Sequence, residues 1–309
     1  MPIAARIKKE PFRSVFRKHW QLYLLMVLPL VWITIFLYFP MYGAVIAFKN
    51  YSVLKGISGS PWVGFREFER LFGSYQFWNI VRNTLQIAGV KLLFAFPAPI
   101  ILAIALNEMR ILRLKKAIQT ITFAPHFIST VVMAGMILTF LDPRFGFIGF
   151  FFRLFNTDQI SLIANPGYFP FIYGITEIWQ HAGFSAVIYI AALSGVDTQL
   201  YDAARIDGAT RFQKILNIDL PSISATIIIL LILDIGNIMT LGFEKVYLLQ
   251  NPLNLSSSEI IATYVYKAGL INANYSFGAA LDLFNGVVNL ILLGTANIIS
   301  KRVSETSLW

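Results

Sequence analysis

Cysteine is absent from the 309-residue chain, so disulfides and Cys-ligated metal sites are excluded. Charged residues are scarce, at 13% of the chain against about a quarter in a typical soluble domain. No lysine follows a glycine, which excludes the Gly-Lys-Ser/Thr of a phosphate-binding P-loop. HExxH and GxSxG motifs are also missing, and the three histidines lack ligand spacing with acidic residues. We therefore predict no catalytic residue, no metal site and no enzymatic activity.

Hydrophobic residues, in contrast, make up 57% of the chain. They concentrate in runs of about 18 or more residues with few or no charges, which is the pattern of membrane-spanning helices. Six such runs are present: 22–48, 83–107, 118–141, 169–193, 222–243 and 278–300. The sequence predicts an all-α polytopic membrane protein with six transmembrane helices in one domain, 22–300, flanked by a basic segment, 1–21, and a tail, 301–309.

The basic residues indicate the orientation of these spans. They fall in four clusters: Arg6, Lys8, Lys9, Arg13, Arg17 and Lys18; Arg110, Arg113, Lys115 and Lys116; Arg205, Arg211 and Lys214; Lys301 and Arg302. Six spans place all four clusters on one side, which the positive-inside rule makes cytoplasmic. Both termini are then cytoplasmic. The net charge of +9 is mostly this topology signal, so we expect no nucleic acid partner.

One charged segment, YDAARIDGATRFQKILNIDLPSI (201–223), stands between two apolar runs. Asp197 is a suitable N-cap for a helix before Gly208, which occupies the position just past that helix. Thr210 and Gln213 have capping-box spacing for a second helix, and Pro221 is expected to end it. The segment predicts two short helices joined by a tight turn on the cytoplasmic face.

Each short helix has a distinct face. In the first, Leu200, Ala203, Ala204 and Asp207 share one side at spacings of three and four residues. In the second, the apolar face is formed by Phe212, Ile215 and Leu216, with Arg211 and Lys214 outside it. An apolar anchor with flanking charges suits a groove on another protein. The alternative is an amphipathic loop that packs on its own bundle.

This segment resembles the EAA loop of membrane subunits in binding-protein-dependent ABC importers. The matching positions are Asp202, Ala203, Ala204, Gly208, Ile218, Leu220 and Pro221. The family usually has Glu where this chain has Asp202. Further similarity lies in PWVGFREFERLF (61–72), in Asn83-Thr84 and in APHFIST (124–130). Together these motifs resemble the larger of the two permease types in sugar importers.

The resemblance implies the type I ABC importer permease fold, with the EAA loop, 197–221, as a cytoplasmic coupling helix. The implied ATPase contacts are Asp202, Ala203, Ala204, Asp207, Gly208, Arg211, Phe212, Ile215 and Leu216. It also implies a bacterial cytoplasmic (inner) membrane location and half of a translocation pathway. The implied partners are a second permease, an ATPase dimer that binds ATP and Mg, an extracytoplasmic solute-binding protein, a carbohydrate substrate and the lipid bilayer. No cofactor is expected in this chain.

Polar residues inside the spans are candidates for the pathway, because they are costly in a membrane. Glu177, Gln180, His181 and Phe184 form one stripe on the fourth span, and Asp234 and Asn237 lie three apart on the fifth. The third span adds Thr122 and His126 around Pro125, which should bend the helix. A further stripe on the sixth span contains Asp282, Asn285 and Asn289. Alternatively, these groups hold helices together or line the contact with a partner subunit.

Three other functions remain open on the residues alone. A secondary transporter driven by an ion gradient is expected to have inverted repeats and broken helices, and none is detected. A structural or assembly subunit has no need of the polar stripes. A permease for a solute other than a sugar is the third.

Overall fold

The structure is a computed structural model that describes residues 12–155, 157–304 and 307–308. Positions 1–11 of the predicted basic segment lie outside the described residues, and so do positions 305, 306 and 309 of the predicted tail. Over the described ranges the chain is helical, and its single isolated β-bridge joins Lys49 and Trp62.

Seventeen α-helices occur in the described part of the chain. Those of the first half are α1 (Phe12–Ile33), α2 (Phe39–Met41), α3 (Gly56–Gly59), α4 (Arg66–Phe72), α5 (Tyr75–Val90), α6 (Pro97–Asn107), α7 (Leu112–Phe123), α8 (Thr130–Phe140) and α9 (Phe147–Leu154). Those of the second half are α10 (Phe169–Ser194), α11 (Thr198–Ile206), α12 (Arg211–Lys214), α13 (Leu220–Gly236), α14 (Phe243–Leu249), α15 (Leu255–Ser258), α16 (Ile261–Val265) and α17 (Tyr275–Ser304).

Shorter helical turns connect several of these helices. Four are π turns: Thr34–Tyr38, Lys91–Ala95, Ile215–Asp219 and Tyr266–Ile271. Four are 3₁₀ turns: Tyr42–Phe48, Ala124–Phe127, Leu162–Ala164 and Pro166–Tyr168.

Within the described residues, four continuous helices can cross a membrane by length and composition: Lys18–Phe48, Tyr75–Asn107, Arg211–Gly236 and Tyr275–Arg302. Two further candidates are bent pairs, Leu112–Phe127 with Thr130–Phe140 and Pro166–Ser194 with Thr198–Ile206. Counting each bent pair as one span makes six, in agreement with the six apolar runs of the sequence. The second pair bends by 73°, where the fourth span meets the short helix α11.

Three prolines inside the long helices lie just after π turns. Pro40, Pro97 and Pro221 each follow a π turn by two residues, and the residue before each proline donates its N–H to the carbonyl five positions back. A proline has no N–H and crowds the carbonyl four residues earlier, and the wider turn accommodates this without ending the helix. The expectation that Pro221 ends its helix is therefore wrong: the helix runs unbroken over Arg211–Gly236.

The expected bend in the third span is present and sharp, at 107°. Ala124–Phe127 forms the 3₁₀ turn at the corner, and the Ser129 hydroxyl caps α8 by accepting from Val132 N–H at 3.4 Å. At this corner α10 comes close to α7, because Gly183 faces the backbone of Thr122 with no room for a Cβ. This close approach brings the corner next to the middle of α10.

The buried side chains form three clusters. The first joins α5, α8, α10 and α14, and the second joins α4, α5 and α17. The third packs α6, α10 and α13 together near the loop that contains α11 and α12, with Tyr189 and Ile223 among its members. The apolar window of Lys18–Phe48 buries none of its residues in this chain, which suits a helix surrounded by lipid or by another subunit.

Candidate functional site

A cavity of about 460 Å³ opens among the membrane helices. Its walls are the segment 91–99, the corner between α7 and α8, the middle of α10 and the end of α13. Most lining residues are apolar or aromatic, and the charged and imidazole side chains among them are Lys91, His126, Glu177, His181 and Asp234. A mainly apolar wall with a few converging polar groups, in this size range, is typical of small-molecule sites.

One wall of the cavity is a stack of rings. The His126 ring lies parallel to Phe184, with centroids 3.9 Å apart, and Phe184 stacks in turn on Phe123 at 5.4 Å. His126 Nδ1 and His181 Nδ1 are 3.2 Å apart. A hydrogen bond at this distance requires one Nδ1 to carry a proton and the other to accept it. The wall thus presents flat faces together with hydrogen-bonding groups.

The cavity lining also contains an ion pair between two membrane helices. Lys91 Nζ donates to Asp234 Oδ1 at 2.9 Å, with 29% and 26% of the two side chains exposed. Lys91 begins the π turn that precedes α6, a kind of irregularity often found at functional sites. Because both ends remain partly open, the pair offers a donor and an acceptor side by side to a molecule in the cavity.

A second ion pair is almost closed to solvent. Lys245 Nζ donates to Glu177 Oε2 at 3.0 Å, and only 5% and 16% of the side chains are exposed. The ammonium also lies 5.2 Å from the centroid of the Tyr173 ring, and His181 Nε2 is 3.9 Å from Glu177 Oε1. Lys245 from α14 thus neutralises the Glu177 carboxylate, whereas His126 contacts His181.

The cytoplasmic loop has the caps that its sequence predicts. Asp197 accepts from Gln199 N–H at 2.9 Å at the start of α11. Thr210 and Gln213 form a complete capping box at the start of α12. These caps satisfy amide groups that the first turn of a helix leaves unpaired.

The turn between the two short helices depends on Gly208. Its φ is +72°, in the left-handed region that glycine adopts without strain. Gly208 N–H donates to Arg205 O at 3.2 Å, and Ala209 N–H donates to Ala204 O at 2.9 Å. This pair of bonds is the Schellman motif, which ends a helix and reverses the chain.

The loop presents an apolar surface to the outside of the bundle. Exposed large side chains there are Leu200, Ile206, Phe212 and Leu216, with Ile206 the most exposed at 87%. Ile215 differs from the expectation: it packs against the cluster of α6, α10 and α13 and is not part of the exposed face. Ile206 also belongs to the exposed face. The sequence did not indicate this, because helical spacing places Ile206 outside the side of α11 that contains Leu200, Ala203 and Asp207.

Residues 95–305 match the family described as binding-protein-dependent transport system inner membrane component. The chain belongs to this family. It is therefore a membrane subunit of an ABC importer, a transport permease and not an enzyme. The matched range includes the whole cytoplasmic loop and all cavity residues except Lys91.

Two relatives from Bacillus subtilis (strain 168) extend the similarity to the whole permease. Protein LplB is 42% identical over 308 residues, with 100% of this chain and 97% of that protein covered. The polygalacturonan/rhamnogalacturonan transport system permease protein YteP is 40% identical, with 99% and 96% covered.

Solved structures share the fold of the permease over nearly its full length. A bacterial ABC transporter involved in the import of the acidic polysaccharide alginate contains a chain with a TM-score of 0.88 and 39% identity, covering 96% of this permease and 100% of that chain. The alginate transporter in complex with an alginate pentasaccharide-bound periplasmic protein gives a TM-score of 0.89 at 38% identity, covering 97% and 100%. The type I fold is thereby confirmed.

Six of the eight predicted pathway residues line the cavity of the permease, and their roles stay predictions. These six are His126, Glu177, His181, Phe184, Asp234 and Asn237. Gln180 is buried away from the cavity, and the Thr122 hydroxyl donates to Ile118 O at 2.8 Å beside the α7–α10 contact. Asn237 caps the C-terminus of α13, because the helix ends at Gly236 and not at the predicted residue 243.

Part of the polar stripe predicted on the sixth span holds helices together. Asn289 Oδ1 accepts from Met239 N–H at 3.1 Å, and Asn289 Nδ2 donates to Thr240 Oγ1 at 2.8 Å. These bonds tie α17 to the turn after α13. The alternative of interhelical contacts therefore accounts for Asn289.

The two lysines of the ion pairs were not among the predicted residues. Lys91 had a visible signal, because it is the single charged residue in the apolar run 83–107. Lys245 had none, since it lies beyond the predicted fifth span and reaches Glu177 only through the fold.

Proposed function

We propose that this permease forms half of the translocation pathway of an ATP-driven carbohydrate importer and passes an oligosaccharide through the 460 Å³ cavity. The observation that carries the proposal is the cavity itself, with its ring stack and the Lys91–Asp234 pair in its lining. The similarity to YteP, of a polygalacturonan/rhamnogalacturonan transport system, and to the alginate transporter supports a carbohydrate, and alginate is an acidic polysaccharide.

The chemistry of the cavity walls suits sugars. A sugar hydroxyl both donates and accepts, and Lys91 and Asp234 place a donor and an acceptor 2.9 Å apart at the cavity surface. The flat faces of His126 and Phe184 match the apolar face of a pyranose ring. In a transporter with two permeases, the second one supplies the remaining wall.

The proposed partners are a second permease, an ATPase dimer and an extracytoplasmic solute-binding protein. The alginate neighbour was solved with its pentasaccharide-bound periplasmic protein, which supports the last of these. ATP and Mg are bound by the ATPase, and the exposed face around Ile206 and Phe212 is the proposed contact with it. The basic clusters support a topology with both termini in the cytoplasm.

The test is transport by the reconstituted complex. The permease is co-expressed with a second permease, an ATPase and a binding protein encoded beside it, and the complex is placed in proteoliposomes. Oligogalacturonate, oligoalginate and a neutral maltooligosaccharide are supplied to the binding-protein side. We expect ATP hydrolysis and uptake to rise together with at least one of these sugars. Uptake driven by an ion gradient without ATP would favour a secondary transporter and contradict the proposal.

A further inference from the structure

The cytoplasmic helix α11 is attached to the membrane domain by few side chains. None of its residues, all of which the structure describes, is buried. Its two charged residues, Asp202 and Arg205, pair with each other at 3.4 Å and remain exposed. Tyr201 is the side chain that reaches back into the bundle, where its hydroxyl donates to Asp219 Oδ1.

Asp219 occupies an unusual position for a carboxylate. It is the last residue of the π turn below α13 and is 0% exposed. Its second oxygen, Oδ2, is buried and has no hydrogen-bond partner within the described residues. A buried carboxylate with few partners is costly. Stability alone therefore does not explain an aspartate here, and its bond to Tyr201 is the contact that uses it.

The same tyrosine hydroxyl also lies near a second membrane helix. The side chain of Asn107, the last residue of α6, is close to it. Burial, followed by the Asp219 contact, raises the pKa of Tyr201 to about 12, so the hydroxyl keeps the proton that it donates at neutral pH. One side-chain oxygen thus bonds α11 to the end of α13 and lies beside the end of α6.

The two helices that meet near Tyr201 are joined at the cavity. The helix that ends at Asn107 contains Lys91, and the helix above Asp219 contains Asp234; these two residues form the open ion pair. At 1.5 Å per residue, each connection is roughly 22–24 Å long. The cluster of α6, α10 and α13 fills the space between them. The helices are therefore paired at the cavity and packed along their length.

We propose that Tyr201 is a positioning residue that transmits movement of α11 to the cavity. If the permease works with an ATPase as proposed above, displacement of α11 pulls on the end of α13 through this hydroxyl. Because α13 packs with α6, the two helices then shift the Lys91–Asp234 side of the cavity. Without the hydroxyl, α11 is connected to the membrane domain mainly through its chain ends, where Gly195 and Gly208 flank it.

Tyr201→Phe tests the proposal, because it removes one oxygen and leaves the ring. In the assembled complex in nanodiscs we expect unstimulated ATP hydrolysis within twofold of the parent protein. Stimulation by the sugar-loaded binding protein should fall at least fivefold, and uptake should fall with it. A purely structural role would instead lower the yield or heat stability and leave the stimulation ratio intact. Unchanged stimulation in this variant overturns the proposal.

Three further variants separate the hydrogen bond from other effects. Asp219→Asn keeps an acceptor oxygen for Tyr201 and should retain stimulation, whereas Asp219→Leu should behave like Tyr201→Phe. Tyr168→Phe, at a half-exposed tyrosine before the fourth span, controls for loss of a hydroxyl elsewhere. Loss of stimulation in Asp219→Asn with retention in Tyr201→Phe would show that the charge and not the hydrogen bond matters, which refutes the assignment.

Hydrogen exchange gives a readout that does not depend on ATP hydrolysis. Amides of α11 should exchange about tenfold faster in Tyr201→Phe than in the parent complex, while those of α13 stay protected. Equal exchange in both proteins would overturn the proposal even if the parent complex hydrolysed no ATP. If Tyr201→Phe speeds exchange in α11 but the parent complex shows no sugar-stimulated hydrolysis, the proposed function is contradicted. The attachment of α11 through the Tyr201–Asp219 hydrogen bond would still be established.

Discussion

The closed ion pair between Glu177 and Lys245 makes a sharp prediction about stability. Glu177→Gln keeps the shape of the side chain and removes its charge. Lys245, only 5% exposed, would then remain as a buried ammonium without a carboxylate at 3.0 Å. We expect this variant to lose much of its stability, because removing one partner of a buried pair leaves the other charge uncompensated.

The size of the effect follows from the geometry. Two unit charges at 3.0 Å interact by about 5–6 kcal/mol at an effective dielectric constant of about 20. Removal of one partner from a buried pair typically costs about 3–5 kcal/mol. At about 2 °C per kcal/mol for a chain of this size class, the midpoint of thermal unfolding should fall by roughly 6–10 °C.

A double-mutant cycle measures the pair itself. Glu177→Gln, Lys245→Met and the double variant are compared by the midpoint of heat-induced loss of the monodisperse complex. Each single variant should be destabilised, and the double variant should recover most of the loss, because it buries no unpaired charge. A Glu177→Gln midpoint within about 2 °C of the parent protein, or strictly additive effects, would refute the reasoning.

The stable double variant also decides between the two roles of Glu177. If the carboxylate only neutralises Lys245, the double variant should import substrate at nearly the parent rate. If sugar hydroxyls bind the carboxylate, uptake should fall although the complex is stable and its unstimulated ATP hydrolysis persists.

The other predictions concern the loop and the open ion pair. Gly208→Val should abolish substrate-stimulated ATP hydrolysis without preventing membrane insertion, because a β-branched residue is strained at φ +72°. Gly208→Asn should retain stimulation, because asparagine tolerates this conformation. Normal stimulation in the valine variant would contradict the role of the turn. Phe212→Ala should weaken ATPase association by about 2 kcal/mol, or roughly 30-fold, in a titration of detergent-purified subunits, while pairing with the second permease survives. Loss of permease pairing with retained ATPase binding would show that the face around Phe212 contacts the second permease instead. Lys91→Met should reduce uptake at least tenfold with assembly intact. The double variant Lys91→Met with Asp234→Asn removes the charge of Asp234 but keeps a hydrogen-bonding side chain, so comparing the two variants separates these contributions. Full uptake in both variants would show that the ion pair is not part of the pathway.

Local features of the fold were predictable wherever neighbouring residues decide them. The N-cap at Asp197, the capping box at Thr210 and the left-handed turn at Gly208 each depend on a few consecutive residues, and all three are present. Pro125 likewise predicted the corner in the third span. The helix end predicted at Pro221 was wrong for a related reason. A proline removes a hydrogen bond locally, but whether the helix ends or widens depends on what packs around it, and here the widened turn buries Asp219.

The amino-acid sequence by itself determined the class of the protein, the number of apolar runs and the loop that characterises the family. Those properties follow from hydrophobic run length, from charge and from short-range spacing, which need no tertiary information. Only the tertiary structure decided which charges meet. Lys91 and Asp234 are 143 positions apart, and Lys245 and Glu177 are 68 apart. Helical periodicity assigns a residue to a face of its own helix, whereas a pair across helices depends on their crossing, rotation and register, and these are set by packing such as that of Gly183 against Thr122.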